Sequence, residues 1–273
     1  MENNSDENKE TNVKATIDAV AGLAKAIPIY DDAVQPAAKE VGKALGTVAK
    51  TVNIALAPIK VLVWGYEQIE NFVNEKVSDK LKNTPEERIT TPPPEVVGPA
   101  LESLKFTGHN EDLRNLFANL IANSMDSATL KHAHPGFVEI IKNISSEEAK
   151  MLKLFNLRQT MPLIDVRNEF KDARGGTDVI KNLSQIGTLS GCVDDSLTPS
   201  LLDNLCRLGL LEIPSGSHLI DDNLYTPLEQ SPRVQALKIA IEKNETKKIG
   251  FTRKYITLTT YGKQFCDTCV KDK

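Results

Sequence analysis

Two pairs of side chains have the spacing that could hold a metal ion or carry out redox chemistry. His132 and His134 could present two imidazoles to one ion, and Cys266 and Cys269 form a CxxC pair. A zinc site wants further Cys, His, Asp or Glu ligands, and the sequence supplies no second CxxC or His pair at zinc spacing. We therefore predict loop or helix-cap roles for the histidines and helix packing for the cysteines, with metal or redox chemistry as the alternative.

Adjacent carboxylates and glycines are the remaining candidates for catalysis. The carboxylate pairs lie outside any recognisable acid/base motif and are typical of solvated turns. The glycines lack the lysine that completes a phosphate cradle. We expect no catalytic residue, metal or cofactor, and thus no enzymatic activity. The positions concerned are Asp31-Asp32, Asp194-Asp195, Asp221-Asp222, Gly175-Gly176 and Gly209.

The composition favours a mainly helical, multi-module protein. The chain has 273 residues, of which 40% are hydrophobic and only 5% aromatic, as expected for helices packed through aliphatic side chains. A net charge of −4 gives no bulk attraction to phosphate backbones. The polar start lacks the layout of a secretory signal, so we expect a cytoplasmic protein whose four cysteines are free thiols.

We divide the chain into five segments by charge and proline content. They are a disordered leader (1–12), an amphipathic helical module that forms a hairpin or bundle (13–83), a Pro-rich linker (84–94), a central helical module (95–159) and an α+β, winged-helix-like domain (160–273).

The amphipathic module carries an apolar stripe at alternating four- and three-residue spacing, which is typical of a helix that packs against another helix. Lys50 and Lys60 leave too short an uncharged run for a membrane span, and Pro58 should break the helix. The stripe could be covered by the protein's own core, or it could engage a membrane surface or a partner. The candidate binding residues are Val41, Leu45, Val48, Val52, Ile59, Leu62 and Trp64.

The linker should begin with a capped turn, with Thr84 as N-cap, Pro85 at the first helical position and Glu87 three residues after the cap. The triple proline at 92–94 then predicts an extended segment.

Strong capping signals punctuate the central module. We predict a helix over 95–105, a second that starts after Asn110 and ends near Met125, and a third that begins at Pro135. Ser145 and Glu148 form a capping box for a fourth helix.

The last domain should combine helices with short strands. Thr198 is predicted to cap a helix over 199–208, followed by a strand at 210–213. Ser231 and Pro232 begin a helix toward Lys243, and residues 255–259 alternate like a strand before a final helix. This pattern resembles a winged helix.

A winged helix could bind nucleic acid, but its helix over 199–208 offers only Arg207 as a basic side chain. Near the supposed wing, a basic cluster could contact phosphates, or it could be a solvated charged hairpin. The cluster comprises Lys247, Lys248, Arg253 and Lys254.

Two segments carry a resemblance to a known family: ERITTPPPEVVGPALE (87–102) and AHPGFVEIIK (133–142). With the upstream runs PAAKEVGKALGTVAKTVN and ALAPIKVLVWGYEQIE, the chain resembles the bacterial abortive infection alpha family. This resemblance implies a role in phage defence.

We therefore predict a non-enzymatic effector or sensor that acts through helical contacts with a membrane or a protein. A protein partner or self-association is expected, and the protein could lie at the inner face of the membrane as a peripheral protein. The alternative is a winged-helix regulator that binds nucleic acid.

Overall fold

The structure, a computed structural model, describes residues 63–273, which lie in one compact unit. The predicted leader, most of the amphipathic module and every stripe residue except Trp64 lie outside the described residues.

The first half of the described chain is helical. Helix α1 (Tyr66–Phe72) continues through a π-helical segment (Val73–Val77) into α2 (Ser78–Leu81), and short 3-10 turns lie at Glu86–Arg88 and Leu130–His132. The helices that follow are α3 (Pro94–Thr107), α4 (Glu111–Ser124), α5 (Gly136–Lys142) and α6 (Ser146–Leu157).

The second half adds one antiparallel sheet with the strand order β2-β1-β4-β3. The long strands β1 and β4 pair from Thr160 opposite Thr257 to Phe170 opposite Lys247. In chain order the elements are β1 (Thr160–Phe170), β2 (Gly176–Leu183), α7 (Ile186–Ser190), α8 (Thr198–Arg207), β3 (Leu211–Glu212), α9 (Thr226–Glu229), α10 (Pro232–Glu242), β4 (Lys247–Leu258) and α11 (Thr260–Phe265), which runs into a π-helical turn (Cys266–Val270). The described residues confirm the mainly helical prediction and place the sheet in the C-terminal part.

Several helix starts agree with the sequence signals. The Asn110 side chain accepts a hydrogen bond from the Leu113 N–H, which satisfies a donor that has no partner within α4. At α6 the Ser145 N–H donates to Glu148 Oε2 at 2.7 Å, and the Glu148 N–H donates back to Ser145 Oγ. The α3 and α10 helices have Pro94 and Pro232 in their first turns.

Two predicted caps are wrong. Thr84 does not cap a helix, because Pro85 has an extended backbone (ψ 140°) and the 3-10 turn begins only at Glu86. Thr198 is the first residue of α8 rather than its cap, and Leu197 takes the N-cap position. The Thr198 hydroxyl instead donates to Asp195 Oδ1 at 3.2 Å.

The β1–β2 hairpin was not predicted, and β4 is far longer than the predicted strand at 255–259. Strand β1 lies inside the sheet, and its buried positions include Asp165. This charged residue interrupts the apolar run that would predict a buried strand. The Asp165 charge is compensated inside the sheet by Lys254 Nζ at 2.6 Å and by the Asn182 N–H at 2.9 Å.

Two hydrophobic cores hold the described part together. The larger one packs α3–α6 against α8, α11 and the final π turn, with Phe137, Phe155 and Phe265 fully buried. Each such ring contributes about 1.5–3 kcal/mol through the apolar surface removed from water. The smaller core lies under the sheet around Tyr225. Residues of the predicted central module and of the predicted last domain therefore share one core.

Within residues 63–273, none of the helices combines the length and the apolar character that crossing a membrane requires.

Candidate functional site

A polar cleft of about 420 Å³ lies between the end of α4 and the last helix. One wall comes from α4 and the 3-10 turn at Leu130–His132, and the other comes from α11 and the π turn. Hydroxyl, amide, imidazole and carboxylate groups line it, so it is suited to hydrogen bonding with a polar ligand. The lining residues are Asn123, Thr129, His132, Thr260, Gln264, Asp267 and Thr268.

Two buried amides hold the walls of the cleft together. Asn119 Nδ2 donates to the Cys269 carbonyl at 2.9 Å, and Asn123 Nδ2 donates to the Thr268 carbonyl at 2.8 Å. The two asparagines are four residues apart and so lie on one face of α4. Carbonyls in the last turn of a helix lack intrahelical partners, and these amides supply them. The π turn is thereby fixed against α4.

An ion-pair cluster around a buried carboxylate lies beside the cleft. Asp126, with 1% of its surface exposed, receives two hydrogen bonds from the Arg88 guanidinium at 3.0 and 2.6 Å. Lys273 Nζ and the Ala128 N–H donate to the same carboxylate at 2.7 and 3.0 Å. Burial alone would raise the pKa of Asp126, but the hydrogen bonds from Lys273, Arg88 and Ala128 outweigh it and lower the pKa to about 2.

The segment at 133–142 forms an aromatic contact that seats α11. His134 Nδ1 accepts a hydrogen bond from the Gly136 N–H at 3.0 Å, and its ring meets Tyr261 edge-on at 5.9 Å. Phe137 contacts both Tyr261 and Phe265, with ring centroids 5.3 and 5.2 Å apart. Helix α5 begins at Gly136, one residue after the predicted start at Pro135, which takes the N-cap position.

The two candidate metal pairs have different surroundings. Among residues 63–273, no group of three or more His, Cys, Asp or Glu side chains is placed to hold a metal ion. His132 lines the cleft, and its carbonyl accepts a hydrogen bond from Gln264 Nε2 at 3.1 Å. All four cysteines are free thiols. Burial raises the pKa of Cys266 to about 12 and that of Cys269 well above its usual value, so both thiols stay protonated and serve in packing.

All four members of the basic cluster lie on β4, where carboxylates and an aromatic ring surround them. Arg253 contacts Glu229 at 2.7 Å and Asp222 at 2.6 Å, and the hydrogen bond to Glu229 is the main cause that raises the pKa of Arg253. Lys254 pairs with the buried Asp165, as described above. Lys248 lies 4.0 Å from Glu169, and Lys247 Nζ lies 5.4 Å from the centre of the Phe170 ring. Much of the positive charge is thus balanced by carboxylates on the sheet and on the segment at 222–229.

Trp64 is the only predicted stripe residue among the described ones. It is partly buried, and its backbone N–H donates to the Lys105 carbonyl at 2.8 Å. Its ring meets the Phe72 ring edge-on, with the ring centroids 5.6 Å apart. A partner-binding role for Trp64 stays a prediction.

Sequence reasoning missed the cleft and the ion-pair cluster. The available signal was the pair Asn119 and Asn123 on the buried face of α4, because polar residues at buried helical positions need partners supplied by the fold. Asp126 gave a second signal, since it directly follows the predicted helix end.

The described part is thus mainly helical, with a polar cleft and a C-terminal antiparallel sheet. A family model described as abortive infection alpha matches residues 65–269. The chain belongs to the abortive infection alpha family, as the two sequence segments predicted.

Comparison with solved structures and with curated proteins gives no further functional information. A solved structure of an uncharacterised protein from the hydrocarbon-degrading marine bacterium Alcanivorax borkumensis SK2 is 14% identical and has a TM-score of 0.35. The match covers 53% of this chain and 96% of that chain. Similarity at this level supports no functional assignment. No curated protein matches the chain.

Proposed function

We propose that the protein is a bacterial phage-defence protein of the abortive-infection type that acts by binding and not by catalysis. The observation that carries this proposal is the family match over residues 65–269, which spans both family segments and the polar cleft. The cleft offers hydrogen-bonding groups for recognition, which suits a sensor that responds to a partner during infection.

In this proposal the effector surface is the apolar stripe at Val41, Leu45, Val48, Val52, Ile59, Leu62 and Trp64. A cationic amphipathic helix can lie on an anionic membrane surface or against a partner helix. We place the protein in the cytoplasm, with peripheral contact at the inner face of the membrane.

Sedimentation with liposomes tests this surface. We expect the full chain to sediment with anionic vesicles, less with neutral ones, and the Val48→Asp/Val52→Asp double variant to remain in the supernatant. The matched control carries Lys238→Ala/Glu242→Ala on exposed positions of α10. If the double variant and the full chain sediment equally, the stripe is not the membrane contact; if neither sediments, the search moves to protein partners.

A second candidate is a winged-helix-like regulator that binds nucleic acid through β4. It is favoured by Lys247 and Lys248 at the start of the strand, beside Arg174, whose guanidinium lies 4.9 Å from the Phe170 ring. Phosphate contacts would make the affinity fall steeply with salt. This candidate predicts that Lys247→Ala/Lys248→Ala weakens binding to duplex DNA and reduces its salt dependence, whereas a salt-independent or unchanged affinity rejects it.

A further inference from the structure

The contacts around Lys273 Nζ describe a site for a primary ammonium group. Besides the carboxylate of Asp126, the amine donates to Asn123 Oδ1 at 3.1 Å and to Thr129 Oγ1 at 3.2 Å. We call these three oxygen atoms the ammonium seat. Asn123 and Thr129 also line the polar cleft, so the seat lies at its edge.

Each of the three seat oxygens faces the Lys273 amine as a hydrogen-bond acceptor. The Asn123 amide N–H₂ is committed to the Thr268 carbonyl, which leaves Oδ1 toward the amine. The Thr129 hydroxyl donates to the Asn123 carbonyl at 2.8 Å, so its lone pairs remain for the amine. Asp126 is ionised at neutral pH and only accepts. Three acceptors match the three N–H donors of an ammonium group.

A second carboxylate, on the cleft wall, adds negative charge near the seat. The Arg88 guanidinium already shares the charge of Asp126, so the seat alone is not strongly negative. Asp267 adds a carboxylate to the cleft wall, is exposed, and forms no ion pair among residues 63–273. A ligand with an ammonium group in the seat and polar groups in the cleft would satisfy the hydrogen-bonding groups of both the seat and the cleft.

Contacts other than the seat also hold the segment that carries Lys273. The Lys271 N–H donates to the Cys266 carbonyl at 2.9 Å, and Asp272, whose side chain is 87% exposed, pairs with Lys80, whose side chain is 14% exposed. Exposed ion pairs of this kind contribute only about 0–1 kcal/mol. An incoming ammonium group can therefore exchange with Lys273 at small cost elsewhere.

We propose that the ammonium seat recognises a lysine side chain of a partner protein and that Lys273 occupies it as an internal competitor. The partner's lysine would displace Lys273 and place its neighbouring main chain in the cleft. This inference rests on the proposed binding function and names the chemistry of the partner.

Peptide binding to the full chain tests the inference. The probe is acetyl-Gly-Lys-Gly-amide, and its control is the same peptide with norleucine, which keeps the four-carbon chain but lacks the ammonium group. We expect Lys273→Ala to bind the lysine peptide at least about tenfold more tightly than the unmodified chain, because removing an internal competitor raises the fraction of open sites. Adding Asp126→Asn should abolish the gain, and Lys263→Ala, an exposed lysine on α11, should behave as the unmodified chain.

The inference is overturned if folded Lys273→Ala binds no lysine peptide, binds the norleucine peptide equally, or binds no better than the unmodified chain. Retained binding in Lys273→Ala/Asp126→Asn would also overturn it. Should Lys273→Ala fail to fold, NMR of the Lys273 side chain in the unmodified protein gives the answer. Its signals must change to those of a free lysine when the peptide is saturating, and unchanged signals reject the exchange.

Phage protection is measured separately in cells. A loss of peptide binding with protection intact would reject the lysine site alone, whereas an absence of protection would reject the proposed function.

Discussion

At the scale of single residues, Asp126 is the carboxylate on which the region beside the cleft depends. It joins Arg88, from the segment at 87–102, to Lys273, which follows the last helix. Charge-assisted hydrogen bonds of this kind are roughly twice as strong as neutral ones, and the Arg88 contact is bidentate. Parts of the chain that are distant in sequence are thereby fixed to the end of α4.

Replacing Asp126 with Asn should lower the free energy of unfolding at pH 7 by about 2 kcal/mol, which is the amount that corresponds to a pKa lowered from 3.8 to about 2. Because the folded-state pKa lies below that of the unfolded chain, the contribution is present above about pH 4 and is lost as the pH falls toward 2. Urea unfolding of the two proteins at about pH 7, 3 and 2 measures the difference, and at the lowest pH the carboxyl of the folded protein is about half protonated.

The matched control is Asp172→Asn, which removes the surface contact to Arg174. It should change stability by less than about 1 kcal/mol at every pH. A difference between Asp126→Asn and the unmodified chain that stayed constant from pH 7 to 2 would contradict the ionised, paired Asp126.

Asn119 and Asn123, whose amides hold the walls of the cleft together, are expected to contribute differently to the free energy of unfolding. Asn123→Ala removes the donor to Thr268 and an acceptor for Lys273, which should cost about 2 kcal/mol. Asn119→Ala also leaves the Cys269 carbonyl without its donor, but it removes the Asn119 Oδ1, which has no hydrogen-bond partner among residues 63–273. We expect about 1 kcal/mol for that variant.

Chemical denaturation of the two variants, with Asn71→Ala on the exposed face of α1 as control, checks this order. A larger loss of stability for Asn119→Ala than for Asn123→Ala would contradict the assigned hydrogen bonds of the two asparagines.

At the scale of elements, the start of α11 determines where the second wall of the cleft lies. Thr259 caps this helix by accepting from the Gly262 N–H at 2.8 Å, and its own hydroxyl donates to the Gly209 carbonyl at 2.5 Å. Gly262 packs directly on the backbone of Leu210, and a Cβ at this position would collide with the Leu210 carbonyl oxygen. The helix can approach β3 this closely only because residue 262 is glycine.

Gly262→Ala should therefore destabilise the protein by about 2 kcal/mol or more, because backbone has to move. Gly98→Ala in α3 is the comparison: nothing lies within 4 Å of its added methyl group. Alanine favours the helix there but precedes Pro99, which disfavours helical backbone, so we expect a change within about 0.5 kcal/mol. Thermal unfolding of both variants measures the effect, and equal melting temperatures would contradict the close contact at Leu210.

Much of the helical architecture could be predicted because its signals are local. Asn110 and the Ser145–Glu148 box specify helix starts through bonds that span three residues. The β1–β2 hairpin could not be predicted in this way, because the partner of Asp165 is Lys254, which lies on another strand. The cleft escaped prediction for the same reason, since Asn123 and Thr268 meet only in the folded chain.

At the scale of the whole molecule, the proposed function assigns recognition to the cleft and action to the apolar stripe, as two separate properties of one chain. The described part has a shared core that includes both family segments and the last helix. Six of the seven stripe residues lie outside the described residues, and we predict that Val48→Asp/Val52→Asp leaves the described part folded.

The central claim is tested most directly by infecting bacteria that express the unmodified protein, the Val48→Asp/Val52→Asp variant or the α10 control with a broad panel of phages. With few phages per cell, we predict that the culture expressing the unmodified or control protein survives. With many phages per cell, we predict that infected cells stop growing without releasing progeny. The stripe variant should be produced at the same level and give no protection. Absence of protection by the unmodified protein against the whole panel, or full protection by the stripe variant, would contradict the account.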